Sequence, residues 1–190
     1  MASSDLVQRG GLAAMLAGVA FIVAFVLVRA NPEPPPGSFY DSLIGVLLIV
    51  ALLLLLTGLA GFHALQKGNY GRIGRAGFYT LVGAALVVVV AFVVRLFGST
   101  ALEFVELLGI LGMLVGFVLY GAATLQARVL PRWCGVGFIV GLPVWVVLAL
   151  LFGVNGALLG AILFGLLWLG FGYVLRSQSG VMAEQPSRVR

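Results

Sequence analysis

Six long apolar runs constrain the fold of this chain more than any other feature of its sequence. Each holds about 20 residues, the length that a helix needs to cross the hydrocarbon core of a bilayer. They occupy residues 10–28, 43–65, 76–94, 104–125, 134–154 and 157–175. Unpaired backbone groups are costly in lipid, and the runs lack the alternation of a membrane β-barrel. We therefore predict an all-α protein of six transmembrane helices.

The overall composition excludes an ordinary soluble domain. Of the 190 residues, 62% are hydrophobic and 9% are charged, whereas soluble domains carry about 25% charged residues. The net charge of +5 does not indicate nucleic-acid binding, because the basic residues lie in short loops and form no continuous face. A single cysteine and a single histidine favour neither a disulfide, a metal site nor a haem, so no cofactor is expected.

The distribution of basic residues predicts the orientation. Nine of the 11 Lys and Arg residues fall on one side of the predicted helices, and only Arg29 and Arg95 fall on the other. Cytoplasmic loops carry the excess of Lys and Arg. We therefore expect both termini to be cytoplasmic in a multi-pass protein of the cell's inner (plasma) membrane.

The turns between helices contain an internal repeat. The segment from Leu65 to Phe78 reads LQKGNYGRIGRAGF, and 60 positions later Leu125 to Phe138 reads LQARVLPRWCGVGF. The simplest interpretation is three parallel copies of a two-helix hairpin. Residues 1–178 would then form one transmembrane domain, and residues 179–190 a polar, disordered tail.

Three helix starts have recognisable capping residues. Ser38 stands three residues before Asp41, and Thr100 three before Glu103, which is the spacing of a capping box. Asn155 is in position to cap the sixth helix, after a very short turn.

Small residues recur every four positions on two helices. Gly10, Ala14 and Gly18 form one such face, and Gly112 and Gly116 another. In lipid these faces allow helix backbones to approach closely. They predict either packing within the bundle or a homo-oligomer interface.

Four polar residues near the ends of the predicted helices are candidates for function, because ionisable groups in a membrane are costly. They are His63, Arg95, Glu103 and Glu106. His63 is either hydrogen-bonded to a neighbour or part of a proton relay. The short connection could pair Arg95 with either glutamate, and both glutamates could face the bundle. The pair would be structural or would form a gate.

The basic turns are candidate binding sites for lipid headgroups. Arg72, Arg75, Arg128 and Arg132 would face anionic lipid, each contributing on the order of 1 kcal/mol. The glycines between residues 68 and 74 lack the GK[ST] of a nucleotide-binding loop, so ATP binding is not indicated.

One turn resembles a known group of proteins. The sequence LPRWCG at residues 130–135 is similar to a turn of uncharacterised small bacterial membrane proteins, and the six-helix length resembles the HdeD acid-resistance family in architecture. The resemblance implies a bacterial inner-membrane protein and assigns no functional residues.

No motif points to catalysis. We therefore predict a non-enzymatic protein with a structural, regulatory or stress-related role. A small oligomeric transporter or channel is the alternative, and lipid, a second copy or another membrane protein are the expected partners.

Overall fold

All regular secondary structure in the described part of the chain is α-helical. The computed structural model describes residues 2–32, 34–35, 37–99 and 101–184. Within these ranges there are five helices: α1 (Ala2–Ala30), α2 (Phe39–Gln66), α3 (Gly71–Leu96), α4 (Glu103–Ala127) and α5 (Arg132–Glu184). Each of them contains a segment that is long and apolar enough to span a membrane. The prediction of an all-α protein with membrane-length helices is thereby confirmed.

The helices extend beyond the apolar runs from which they were predicted. α1 begins at Ala2 rather than at residue 10, and α4 ends at Ala127 rather than at 125. An apolar run marks only the part of a helix that lipid surrounds, while the backbone hydrogen bonds continue into polar residues at either end. α5 likewise continues through Glu184, and residues 185–190 lie outside the described residues.

The fifth and sixth predicted helices are joined in α5, which is interrupted at Gly153. This glycine has φ 58° and ψ −136°, a combination that side-chain-bearing residues rarely adopt. A reversal of the chain at this point is shown by a hydrogen bond across it: the Trp145 indole N–H donates to the carbonyl of Ala157 at 3.0 Å. In a straight helix, residues 12 positions apart would be separated by roughly 18 Å. The two halves of α5 therefore lie side by side in opposite directions.

The turn at Gly153 is unusually apolar. Leu150, Leu151 and Phe152 precede it and are 80%, 69% and 62% exposed. Asn155 provides a polar group, but its expected role as a helix cap is not observed. Its side-chain oxygen instead accepts a hydrogen bond from Arg29 Nε at 2.7 Å. This bond ties the turn to the end of α1.

The start of α2 is capped as the sequence predicts. Ser38 is the N-cap residue, and its hydroxyl oxygen accepts a hydrogen bond from the Asp41 backbone N–H at 3.2 Å. The Asp41 carboxylate in turn accepts from the Gly37 N–H at 3.1 Å. Thr100, predicted to play the same part for α4, lies outside the described residues.

Small residues set the packing of the bundle. α1 lies between α2 and α5, while α3 packs along α4. A Cβ atom on Gly18 would lie 2.4 Å from the carbonyl oxygen of Gly165 in α5, and one on Gly10 would lie 2.9 Å from the Cα of Gly61 in α2. Both faces predicted from the four-residue spacing are used within the chain, since Gly116 similarly meets Leu81 of α3.

Candidate functional site

The four polar candidates lie at two opposite ends of the bundle. His63 is in the last turn of α2, beside the basic loop that leads to α3. Arg95 is in the last turn of α3, and Glu103 and Glu106 are in the first turn of α4. The structure therefore separates His63 from the two glutamates, and the described residues place no carboxylate in hydrogen-bond contact with its ring.

Arg95 pairs with a residue that the sequence did not single out for this role. Its guanidinium lies 3.8 Å from the carboxylate of Asp41. Within the described ranges, no ion pair joins it to Glu103 or Glu106, so the predicted pairing is not observed. The reason is that Asp41 projects from the first turn of α2, which neighbours the end of α3. Because the Arg95 side chain is 52% exposed, the pair contributes at most about 1 kcal/mol.

Glu103 and Glu106 have different environments, contrary to the expectation that both face the bundle. Glu103 is exposed, whereas Glu106 is half-buried and lines a partly open cavity between the helices. Residues three apart in a helix differ by about 60° around its axis. That difference is enough here to direct only the second carboxylate inward.

The cavity beside Glu106 has a volume of about 250 Å³ and touches every helix of the bundle. Its lining is otherwise apolar and consists of Phe21, Phe25, Leu48, Leu52, Val88, Phe92, Ile110, Met113, Leu142, Trp145 and Phe164. Glu106 is the one charged residue among the described residues that line it. A carboxylate next to an apolar chamber is the unusual feature of this bundle, because ionised groups seldom lie there without a partner.

Four aromatic rings form one wall of the cavity. Phe25 meets Trp145 edge-on at 5.1 Å between ring centroids, and Phe21 meets Phe164 edge-on at 5.4 Å. Trp145 and Phe164 stack at 6.1 Å, which joins the two pairs. The wall is built by α1 and by both halves of α5. Because the Trp145 N–H is already bonded to Ala157, the wall adds no free donor to the cavity.

A second, smaller cavity adjoins the first. It has a volume of about 140 Å³ and is lined by Val28, Asp41, Ile44, Gly45, Leu48, Phe92, Arg95 and Leu96. Leu48 and Phe92 line both cavities. The ion pair of Asp41 and Arg95 therefore lines a cavity that shares two lining side chains with the cavity of Glu106.

His63 is held by its neighbours. The Tyr70 hydroxyl is hydrogen-bonded to His63 Nδ1, and the imidazole stacks on Phe78 with 4.1 Å between centroids. Tyr70 lies in the loop and is only 3% exposed, and this burial raises the pKa of its phenol to about 12. These contacts match the hydrogen-bonded role considered for His63. No group of three or more His, Cys, Asp or Glu side chains is placed to hold a metal in the described chain.

The four arginines of the basic turns are all exposed and lie at the His63 end of the bundle. Arg72 and Arg75 are in the first turns of α3, Arg132 begins α5, and Arg128 ends α4 in a left-handed conformation. Trp133 is 44% exposed beside them and stacks on Phe171 at 5.6 Å. This arrangement leaves the guanidinium groups accessible at that end of the bundle.

The sequence analysis missed the aromatic wall. In the sequence, Trp145, Phe164 and the phenylalanines of α1 are indistinguishable from other apolar residues of a membrane helix. Their only signal is the spacing of Phe21 and Phe25 by four positions, which places both on one helix face. No protein-family model, curated protein or solved structure matches this chain.

Proposed function

We propose that this protein binds a small, predominantly apolar molecule inside its helix bundle, as a non-enzymatic membrane protein with a regulatory role. The supporting observation is the cavity of about 250 Å³ beside Glu106. An apolar cavity of about 150 Å³ is enough to hold a benzene molecule. The volume here therefore suits a ligand of one ring with a short substituent.

The proposal includes a membrane arrangement. The reversal at Gly153 supports six crossings, with the two halves of α5 as separate spans. The exposed arginines of the turns support placing that end at an anionic cytoplasmic surface, with Arg72, Arg75, Arg128 and Arg132 meeting lipid headgroups. The repeated turns support an origin in three two-helix hairpins. The likeness of the LPRWCG turn supports a bacterial inner membrane.

A neutral aromatic hydrocarbon provides the direct test. Neopentylbenzene should bind saturably to the full-length protein in an uncharged detergent, measured by quenching or shift of tryptophan fluorescence. Leu52→Trp fills the cavity, because Leu52 lines it and is 4% exposed. Leu53→Trp is the matched control, since Leu53 is 46% exposed on the outer face of the same helix.

Binding should be lost in Leu52→Trp and kept in Leu53→Trp. Equal binding by both variants would place the hydrocarbon on the outer surface and would refute the proposal. So would a wild-type signal that never saturates, because that is the behaviour of hydrocarbon dissolving in detergent.

A transporter or channel is the second candidate, favoured by the two adjoining cavities. Leu48 and Phe92 line both cavities, so we expect movement of these side chains to connect the cavity of Asp41 and Arg95 with that of Glu106. Liposomes containing the protein distinguish the two functions. Transport would be favoured if the liposomes release a trapped solute and Phe92→Ala accelerates the release. The control Phe97→Ala, at an 86% exposed position, should leave the rate unchanged.

A further inference from the structure

We infer that the ligand of the cavity is an organic cation, with a positively charged nitrogen on a small aromatic or aliphatic body. This inference rests on the proposed function and adds the ligand's charge to it. The observation behind it is the combination of one carboxylate with four connected aromatic rings in an otherwise apolar chamber.

The carboxylate of Glu106 makes no close ion pair with any described residue, although Arg95 is near enough to interact with its charge. No ion pair or side-chain hydrogen bond reaches it from the described residues, although the side chain is half-buried. Arg95 lines the adjoining cavity, and its ion pair is made with Asp41. A carboxylate that faces an apolar space interacts strongly with a cation placed there, because little solvent screens the charges.

The aromatic wall suits the same ligand. A cation lying over the face of a tryptophan or phenylalanine is attracted by the electrons of the ring, and the attraction grows when water is excluded. The rings of Phe21, Phe25, Trp145 and Phe164 all line the cavity. A neutral hydrocarbon would gain from the apolar wall but not from Glu106, and an anion would be repelled by the carboxylate.

The lining also excludes several other ligand classes. A metal ion needs several oxygen, nitrogen or sulfur ligands, and Glu106 is the one strong ligand among the described lining residues. A sugar or nucleotide needs many hydrogen-bond partners, whereas the Trp145 N–H is already bonded within the chain. A quaternary ammonium group needs none, which matches a chamber with few polar atoms.

Two probes of nearly identical shape isolate the contribution of charge. Benzyltrimethylammonium and neopentylbenzene differ in having a charged nitrogen or a neutral carbon at the same position. Their binding to the full-length protein is compared in an uncharged detergent. Glu106→Gln removes the charge at nearly constant volume, and Glu103→Gln is the matched control on the exposed position one turn away.

The wild-type protein should bind both probes. Glu106→Gln should weaken binding of benzyltrimethylammonium by at least about tenfold, because it removes a desolvated charge partner. The same variant should leave neopentylbenzene binding within about threefold of wild type, since the volume and apolar contacts are kept. Glu103→Gln should change neither. Retained neopentylbenzene binding also shows that the variant is folded.

The remaining outcomes separate the two proposals. If neopentylbenzene binds and benzyltrimethylammonium does not, the cavity is real and the inference of a cation is wrong. If Glu103→Gln weakens the cation as much as Glu106→Gln does, the cation is held by surface charge and the inference is again wrong. If neither probe binds the wild-type protein, the proposed function itself fails. The first of these outcomes concerns the wild-type protein alone, so it can refute the inference even if Glu106→Gln does not fold.

Discussion

The contact between α1 and α5 at Gly18 allows a quantitative prediction. A Cβ atom added by Gly18→Ala would lie 2.4 Å from the carbonyl oxygen of Gly165 and 3.3 Å from the backbone nitrogen of Leu169. Ordinary contact begins at 3.4 Å, so the closer atom is about 1 Å too near. Both atoms belong to the backbone of α5, and no side-chain rotation relieves the clash. The two helices must move apart.

The magnitude follows from two opposing effects. Overpacking of this kind costs about 1–3 kcal/mol. Alanine is also a better helix former than glycine, by about 1 kcal/mol, which offsets part of the loss. Gly83→Ala isolates the second effect, because a Cβ on Gly83 of α3 meets no atom within 4 Å. We therefore expect Gly18→Ala to be less stable than Gly83→Ala by about 1–3 kcal/mol.

Reversible unfolding in mixed detergent micelles measures this difference. Tryptophan fluorescence is a suitable signal, since Trp145 contacts Phe21 on α1, one turn from Gly18. Circular dichroism should give the same midpoint if the transition is two-state. A Gly18→Ala protein as stable as Gly83→Ala, or more stable, would refute the close approach of α1 to α5 at this position.

Three further predictions concern the basic end of the bundle. Tyr70→Phe removes the hydrogen bond to His63 and should reduce the free energy of unfolding by about 0.5–1.5 kcal/mol. The control Tyr79→Phe, at a 66% exposed position, should have little effect. Equal losses of stability in the two variants would contradict a specific role of the bond. Burial raises the pKa of the Tyr70 phenol from 10 to about 12, so folding favours the neutral phenol. The stability that this preference contributes is complete below pH 10 and is lost as the pH rises through about 12. Near-ultraviolet absorbance of phenolate, taken as wild type minus Tyr70→Phe, should therefore show its step near pH 12, and a step near pH 10 would refute the burial of Tyr70. Replacing all four arginines of the basic turns by glutamate should disturb the topology (Arg72, Arg75, Arg128 and Arg132). Cysteine labelling measures this, with Asn69→Cys and Val129→Cys introduced in a Cys134→Ser background. If both loops are still labelled from the cytoplasm in the charge-reversed protein, features other than these charges fix the orientation.

The helices could be predicted from the sequence because one physical requirement governs them. A chain in lipid must bond its own backbone groups, so an apolar run of about 20 residues has few alternatives to a helix. The cap at Ser38 was predictable for a similar reason, since its bond to Asp41 is local in sequence. Features of this kind need no knowledge of which helices are neighbours.

The candidate site could not be predicted in this way, because its contacts depend on which helices are neighbours. The ion pair between Asp41 and Arg95 joins residues on two helices, and the direction of Glu106 depends on how α4 is rotated in the bundle. The repeat illustrates the same limit. Gln66 and Gln126 match in sequence, yet Gln66 is fully buried and Gln126 is exposed. Equivalent positions in a repeat have different neighbours, so the sequence match did not predict equal burial.

The apolar turn at Gly153 has a consequence for the surrounding bilayer. The first half of α5, residues 132–152, is about 31 Å long at 1.5 Å per residue, and it ends in exposed leucine and phenylalanine without a polar loop. Such a turn is more stable at the boundary of the hydrocarbon than in water, and this half of α5 is about as long as a hydrocarbon core of about 30 Å is thick. We expect the turn to lie at the hydrocarbon boundary, with the long side chain of Arg29 beside it reaching the headgroup region. Bilayer thickness would then act on the hairpin formed by α5 more strongly than on the other helices, and thicker membranes would strain it first.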